Sequence, residues 1–382
     1  MTIAKLLTLF VAGAAAHGAT VWPPPRNAID WQNVTAQSQA TYAIDGQFAC
    51  PIAAGANLSG TNGQACYWFS NGCTMDCATC DGASRGPIPS IECADPKKPF
   101  DMCKRKMPST ADPTCAAATA TLCDPKLRTV NTGAECGADD DWYYFSPWRK
   151  PGSAGVFDSC GVAGGHPPPA CTDNETHCFG GTYQPTLGAR LGDHGSHTLP
   201  PTPTAVTWKA GEHVEVSWNI LANHGGGYQY RLCPADATLD EECFQKTPLP
   251  FVGQQSLRWD GVNGGGGTRH YFDGTYVSDG TTPAGSMWAK NPLPRNDTHQ
   301  TLASFAPPCD ETPDCGQHSR MSKCKCSGMW GPFDVEIVDT VALPADLPSG
   351  EYVLGWRWDC EESNQIWTSC SDVTIVGKDA AA

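Results

Sequence analysis

The feature that most limits the fold of this chain is a set of short runs in which apolar residues return at every second position. Val214, Val216 and Trp218 alternate with Glu215 and Ser217. Phe333, Val335 and Ile337 repeat the pattern, as do Tyr352, Leu354, Trp356 and Trp358, and then Val373 and Ile375. A period of two puts every second side chain on the same face of a strand, whereas a helix would need a period near 3.6. Gly- and Pro-rich stretches such as Gly264 to Gly267 separate the runs. With 40 glycines and 32 prolines in 382 residues, long helices have little room. The pattern predicts an all-β chain: an immunoglobulin/fibronectin-III-like antiparallel β-sandwich, its strands mainly within 204–376, with long disulfide-stapled loops.

Cysteine usage sets the compartment. The chain has 21 cysteines, 13 of them from Cys50 to Cys178, which does not suit a cytosolic enzyme whose thiols stay reduced. Cys73, Cys77 and Cys80 fall at a spacing a zinc knuckle would use, but in an exported chain disulfides are the better reading. Connectivity does not follow from spacing, and an odd total leaves one thiol unpaired or joined to another molecule. Export is expected from the N-terminus. Lys5, the apolar run Leu6 to Ala12 and the small residues of Ala14-x-Ala16 form the charged, apolar and cleavage regions of a signal peptide over 1–16. The run is too short to cross a bilayer as a helix. Residues 17–376 then form one composite domain with a Cys-rich loop region at about 40–200, and 377–382 a short tail. Four glycosylation sequons, at Asn33, Asn57, Asn174 and Asn296, fit an extracellular surface. A net charge of −15, with no basic run longer than Lys104 to Lys106, argues against nucleic acid or an anionic membrane as partner. The expected state is a secreted monomer.

Cleavage after Ala16 has a chemical consequence. It makes His17 the first residue, with two nitrogen donors in chelating reach: its α-amine, partly deprotonated near neutral pH, and its ring Nδ1. Such chelates suit Cu(II). A second candidate ligand is His224, directly after the strand pattern of Val214 to Ile220 and followed by three glycines that can clear space around a metal. A turn hydrogen bond is the alternative role for this histidine. In the third segment, Gln365 stands two residues before Trp367, so on a strand the two share a face. They would line a patch at the end of the His224 strand, or Trp367 would simply fill the core. Tyr228 and Tyr230 offer rings for sugar stacking or ordinary strand packing.

Together these segments resemble the lytic polysaccharide monooxygenases of the chitin-binding-type-4 group. The residues that carry the resemblance are His17-Gly18 at the cleavage site, followed by Trp22-Pro23-Pro24-Pro25-Arg26; Ala222 two before His224; and Gln365, Trp367, Asp372 and Val373 near the C-terminus. The Cys-rich middle, including Pro147 to Gly152, looks like an algal or other protist elaboration of the group. The resemblance implies one copper held by His17 and His224, an external electron donor, and dioxygen or hydrogen peroxide as oxidant. It implies oxidative cleavage of an insoluble polysaccharide such as chitin or cellulose. Ala222 and Trp367 would flank the metal axially, and Gln365 would hydrogen-bond the oxidant. Trp367 departs from the Phe or Tyr usual in the group.

Other chemistries find less support. No H-E-x-x-H or phosphate-binding G-x-x-x-x-G-K-[ST] motif is present. No carboxylate pair stands out for glycoside hydrolysis. His194-Gly195-Ser196-His197 and Asp139-Asp140-Asp141 read as solvated turns rather than metal sites. Two alternatives to the oxidase remain: a non-catalytic polysaccharide-binding protein, and a secreted copper-binding protein.

Overall fold

The computed structural model describes residues 17–26, 147–162, 193–201, 206–222, 224–262, 265–293, 336–361 and 365–378. The signal sequence, the sequons, the Asp139 to Asp141 run, the Cys73 to Cys80 cluster and the Phe333/Val335 alternation lie outside these residues.

Alternation becomes strand where it was expected. The strands are β1 (His17–Trp22), β2 (Thr207–Lys209), β3 (His213–Ala222), β4 (Gly227–Pro234), β5 (Gln255–Val262), β6 (Gly265–Phe272), β7 (Tyr276–Val277), β8 (Trp288–Lys290), β9 (Glu336–Ala342), β10 (Gly350–Asp359) and β11 (Ile366–Val376). Among the described residues helix is confined to two single turns, α1 (Gly195–Thr198) and α2 (Glu241–Phe244), and a 3-10 turn at Pro147–Arg149. Asp240 caps α2 by accepting the Cys243 N–H at 2.9 Å.

The strands form a five-stranded sheet, β1-β3-β9-β5-β6, and a six-stranded sheet, β2-β11-β10-β4-β8-β7. The first is antiparallel throughout. The second is mixed, because β2 runs parallel to β11. This departs from the antiparallel expectation: no hairpin joins β2 to β11, so nothing in the connection imposes opposite directions. Between the sheets, Val214, Val216, Trp218 and Ile220 of β3 meet Tyr352, Leu354, Trp356 and Trp358 of β10 in one buried cluster. Trp218 is its hub, with ring centroids 4.7 Å from Tyr228, 5.0 Å from Trp356 and 5.3 Å from Trp358.

The outer face of the six-stranded sheet is also covered. Arg231 and Arg357 are buried there. Both donate to Glu241 of α2, Arg231 Nη1 at 2.6 Å and Arg357 Nη1 at 2.9 Å, while Arg357 Nε–H donates to Asp359 at 2.7 Å. Burial alone would raise the Glu241 pKa, but the two guanidiniums win and hold it well below the carboxylate range. Segment 147–162 seals this face. The Gly152 N–H donates to Asp359 at 2.8 Å, Arg357 Nη2 to the Ala154 carbonyl at 2.7 Å, and a Cys160–Cys370 disulfide ties the segment to β11. A second disulfide, Cys233–Cys243, ties α2 to β4.

Candidate metal centre

β1 and β3 pair antiparallel, so the first residue of β1 lies beside the last of β3. The Cα partner of His17 is Ala222, and that of Thr20 is Trp218. Two residues past this pair the chain reaches His224. Thus the residue expected at the mature N-terminus and the second candidate ligand belong to the same end of the sandwich. For His17 and Ala222 only the backbone is described.

His224 is 5% exposed, and the loop it opens is fixed through three successive carbonyls. The His224 carbonyl accepts the Glu361 N–H at 3.0 Å. The Gly225 carbonyl accepts the indole N–H of Trp358 at 2.7 Å. The Gly226 carbonyl accepts the Asn291 N–H at 2.8 Å. The glycines are required by shape. Gly225 and Gly226 have φ of 62° and 78°, a region costly for residues with a Cβ. A Cβ at Gly226 would sit 2.0 Å from the Asp359 carbonyl oxygen, and one at Gly227 2.3 Å from the Trp148 ring. The glycine run therefore lets the end of β10 and the Trp148 ring close on the histidine loop.

Gln365 arrives at the same end. Its carbonyl accepts the Cys360 N–H at 3.1 Å as β10 turns into β11, which brings it one turn of chain from Glu361 and hence from His224. Trp367 is the Cα partner of Trp358 across the β10–β11 ladder. Directly opposed residues share a face, so the two indoles lie on the same side of the sheet, in the core cluster. Gln365 and Trp367 are 4% and 1% exposed. Both are therefore buried rather than part of a surface patch, and Trp367 takes the core role the sequence left open, on the sheet face that packs against the opposite sheet.

Tyr228 and Tyr230 are corrected more fully. Both are wholly buried and cannot stack on a polymer. They point into the sandwich, where their hydroxyls donate to Asp339 at 3.1 and 3.2 Å. Gln255 Nε2 donates to the same carboxylate. Burial among uncharged donors raises the Asp339 pKa to about 7 against the pull of those hydrogen bonds. The alternation of β4 is real, but the inward phase carries the tyrosines.

β1 is pinned across the open side of the sandwich onto β11. The Thr20 and Ser369 hydroxyls are hydrogen-bonded, Ser371 Oγ–H donates to the Pro23 carbonyl at 2.8 Å, and the buried Arg26 guanidinium grips both oxygens of Asp372, at 2.9 and 2.5 Å. Arg26 and Asp372 stand out in the sequence as motif residues; their pairing does not. Trp358 and Glu361 gave no signal beyond strand alternation.

The rival histidines are elsewhere. The His194 side chain is 39% exposed, with Nδ1 3.6 Å from Asp158, while His197 is exposed. Asp158 itself staples this turn, accepting the Ser196 N–H at 3.1 Å, the Ser196 hydroxyl and the Cys160 N–H at 2.8 Å. Among the described residues no group of three or more His, Cys, Asp or Glu side chains is arranged to hold a metal ion. A pair of histidines completed by a terminal amine is a different donor set. Its chemistry fits copper: three nitrogens, two of them imidazole, with coordination positions left over. Among the described residues no helix is long and apolar enough to cross a membrane.

No protein-family model matches the chain. Among solved structures it is similar to a chitin-binding domain from Burkholderia pseudomallei, at 13% identity and TM-score 0.32, covering 95% of this chain and 100% of that one. It is also similar to an AA15 lytic polysaccharide monooxygenase from Thermobia domestica in the Cu(I) state, at 15% identity and TM-score 0.23, covering 49% and 77%. An AA10 lytic polysaccharide monooxygenase from Streptomyces lividans matches at 12% identity and TM-score 0.23, covering 48% and 63%. Likenesses this slight carry no chemistry from those proteins to this one.

Proposed function

We propose that this chain is a secreted copper-dependent lytic polysaccharide monooxygenase that cleaves glycosidic bonds in chitin, cellulose or a related insoluble polysaccharide. The observation that carries the reading is the β1–β3 register, which pairs His17 with Ala222 two residues before His224. Once cleavage frees the His17 amine, that amine, the His17 ring and the His224 ring supply three nitrogen donors to one copper ion. When bound, copper supplies the one-electron chemistry that activates dioxygen or hydrogen peroxide, with electrons from an external reductant. The rest falls to the chain. Ala222 would limit one approach to the metal. The buried indole of Trp367 keeps bulk water out on the interior side. Gln365 presents an uncharged amide that orients the oxidant without adding charge to the site.

The test begins with mass spectrometry of the exported protein, which should start at His17. Loaded with Cu(II), it should give an electron paramagnetic resonance spectrum with nitrogen hyperfine structure. With reductant it should release oxidised oligosaccharides from chitin or cellulose. His224→Ala should abolish both while the circular dichroism of the sandwich persists. A different first residue, or a Cu(II) spectrum without nitrogen coupling, overturns the proposal. Polymer binding without oxidised ends would mark a binding protein instead, and copper binding without either would mark a secreted copper-binding protein.

A further inference from the structure

Three consecutive carbonyls of the His224 loop each accept a hydrogen bond from a described residue, and one of these donors is a side chain. That donor is Trp358, wholly buried, with its indole N–H on the Gly225 carbonyl at 2.7 Å. The other two donors are the main-chain N–H groups of Glu361 and Asn291, which no substitution short of proline removes. Trp358 is anchored on its other side by the ring of Trp218 at 5.3 Å. Its own strand position is fixed between Tyr228 of β4 and Trp367 of β11. It therefore links the rigid middle of both sheets to the Gly225–Gly226 peptide unit, one residue beyond His224. We propose that Trp358 is a positioning residue for His224: its N–H sets the backbone of the loop and so the direction from which the imidazole meets the metal. This rests on the copper reading above, but it concerns the loop of the chain itself.

Trp356 supplies an internal control. It is equally buried, belongs to the same aromatic cluster at 5.0 Å from Trp218, and its indole N–H has no hydrogen-bond partner among the described residues. Replacing each tryptophan in turn by benzothienylalanine keeps the bicyclic ring and exchanges N–H for sulfur. At 358 the exchange should speed amide hydrogen exchange over 224–227 in the metal-free full chain. It should also shift the Cu(II) hyperfine coupling of the loaded protein and weaken Cu(II) binding about tenfold, the effect expected of an outer hydrogen bond at a metal site. At 356 it should change none of these. Trp358→Phe, which also loses ring volume, should show the same signature with a lower melting temperature. Equal responses at 356 and 358, or an unchanged loop and spectrum at 358, would overturn the inference. If the loop loosens at 358 while the unmodified chain binds no copper, the copper reading fails and the positioning of the loop stands.

Discussion

The two segments that carry the candidate ligands are held in place by different means. β1 is an edge strand. Among the described strands its backbone pairs with β3 alone, and its attachment to the other sheet is largely through side chains: Thr20 with Ser369, Ser371 with the Pro23 carbonyl, Arg26 with Asp372. The His224 loop is held almost wholly through main-chain carbonyls, with glycine at the positions where neighbouring backbone comes closest. One ligand thus depends on the chemistry of a few side chains and the other on the shape of the chain. An edge strand has a backbone neighbour on one side alone, so side-chain bonds must hold it to the other sheet. A loop between two paired strands already has both ends fixed and needs only a backbone path that does not collide.

Substitutions that exchange these modes test the contrast. The largest effect should come from Gly226→Ala. The new Cβ meets the Asp359 carbonyl oxygen, which is part of β10 and cannot yield, at a φ of 78°. Left-handed strain and overpacking together should cost about 3–5 kcal/mol in chemical denaturation. A loss of about 1 kcal/mol or less would mean that the loop is not fixed by shape. Next is Asp372→Ala, which strands a buried guanidinium. Arg26 and Asp372 side chains are 5% and 8% exposed, and breaking such a pair from one side should cost about 3 kcal/mol. The double variant Arg26→Met with Asp372→Leu should recover most of that stability, as replacement of a whole buried pair does. If the double variant is no better than Asp372→Ala, the clamp contributes by packing rather than by charge.

The same contrast explains what was legible in the sequence. Inward residues such as Val216, Trp218, Leu354 and Trp356 are set by a local period of two, so the strands and the sandwich could be read directly. The placement of Ala222 and His224 at a strand end also followed from local pattern. The phase of β4 was also marked, since the polar Gln229 and Arg231 alternate with Tyr228 and Tyr230, and of the two roles open to the tyrosines the structure takes strand packing. Arg231 and Arg357 would have read as a solvent face. They are buried because segment 147–162 and α2 cover them, and a cover supplied by other elements leaves no mark on the strand it covers. Trp358 was legible as core but not as a donor, since its acceptor is a carbonyl 133 residues earlier.

The smallest effect distinguishes position from stability on the β1 side. Ser369→Ala removes the hydroxyl that meets Thr20, a residue 1% exposed. Leaving that buried group to find another partner should cost about 1–2 kcal/mol, less than either change above. Its value lies in location, because Thr20 is three residues from His17 on the same strand, whereas the Arg26 clamp lies beyond the far end of β1. If side-chain bonds set the path of β1, Ser369→Ala should raise hydrogen exchange over 18–21 while leaving 224–227 unchanged, and Gly226→Ala should do the reverse. Exchange that rises in both segments for either variant would show that β1 and the His224 loop move as one unit, and the division between side-chain and backbone control would then fail.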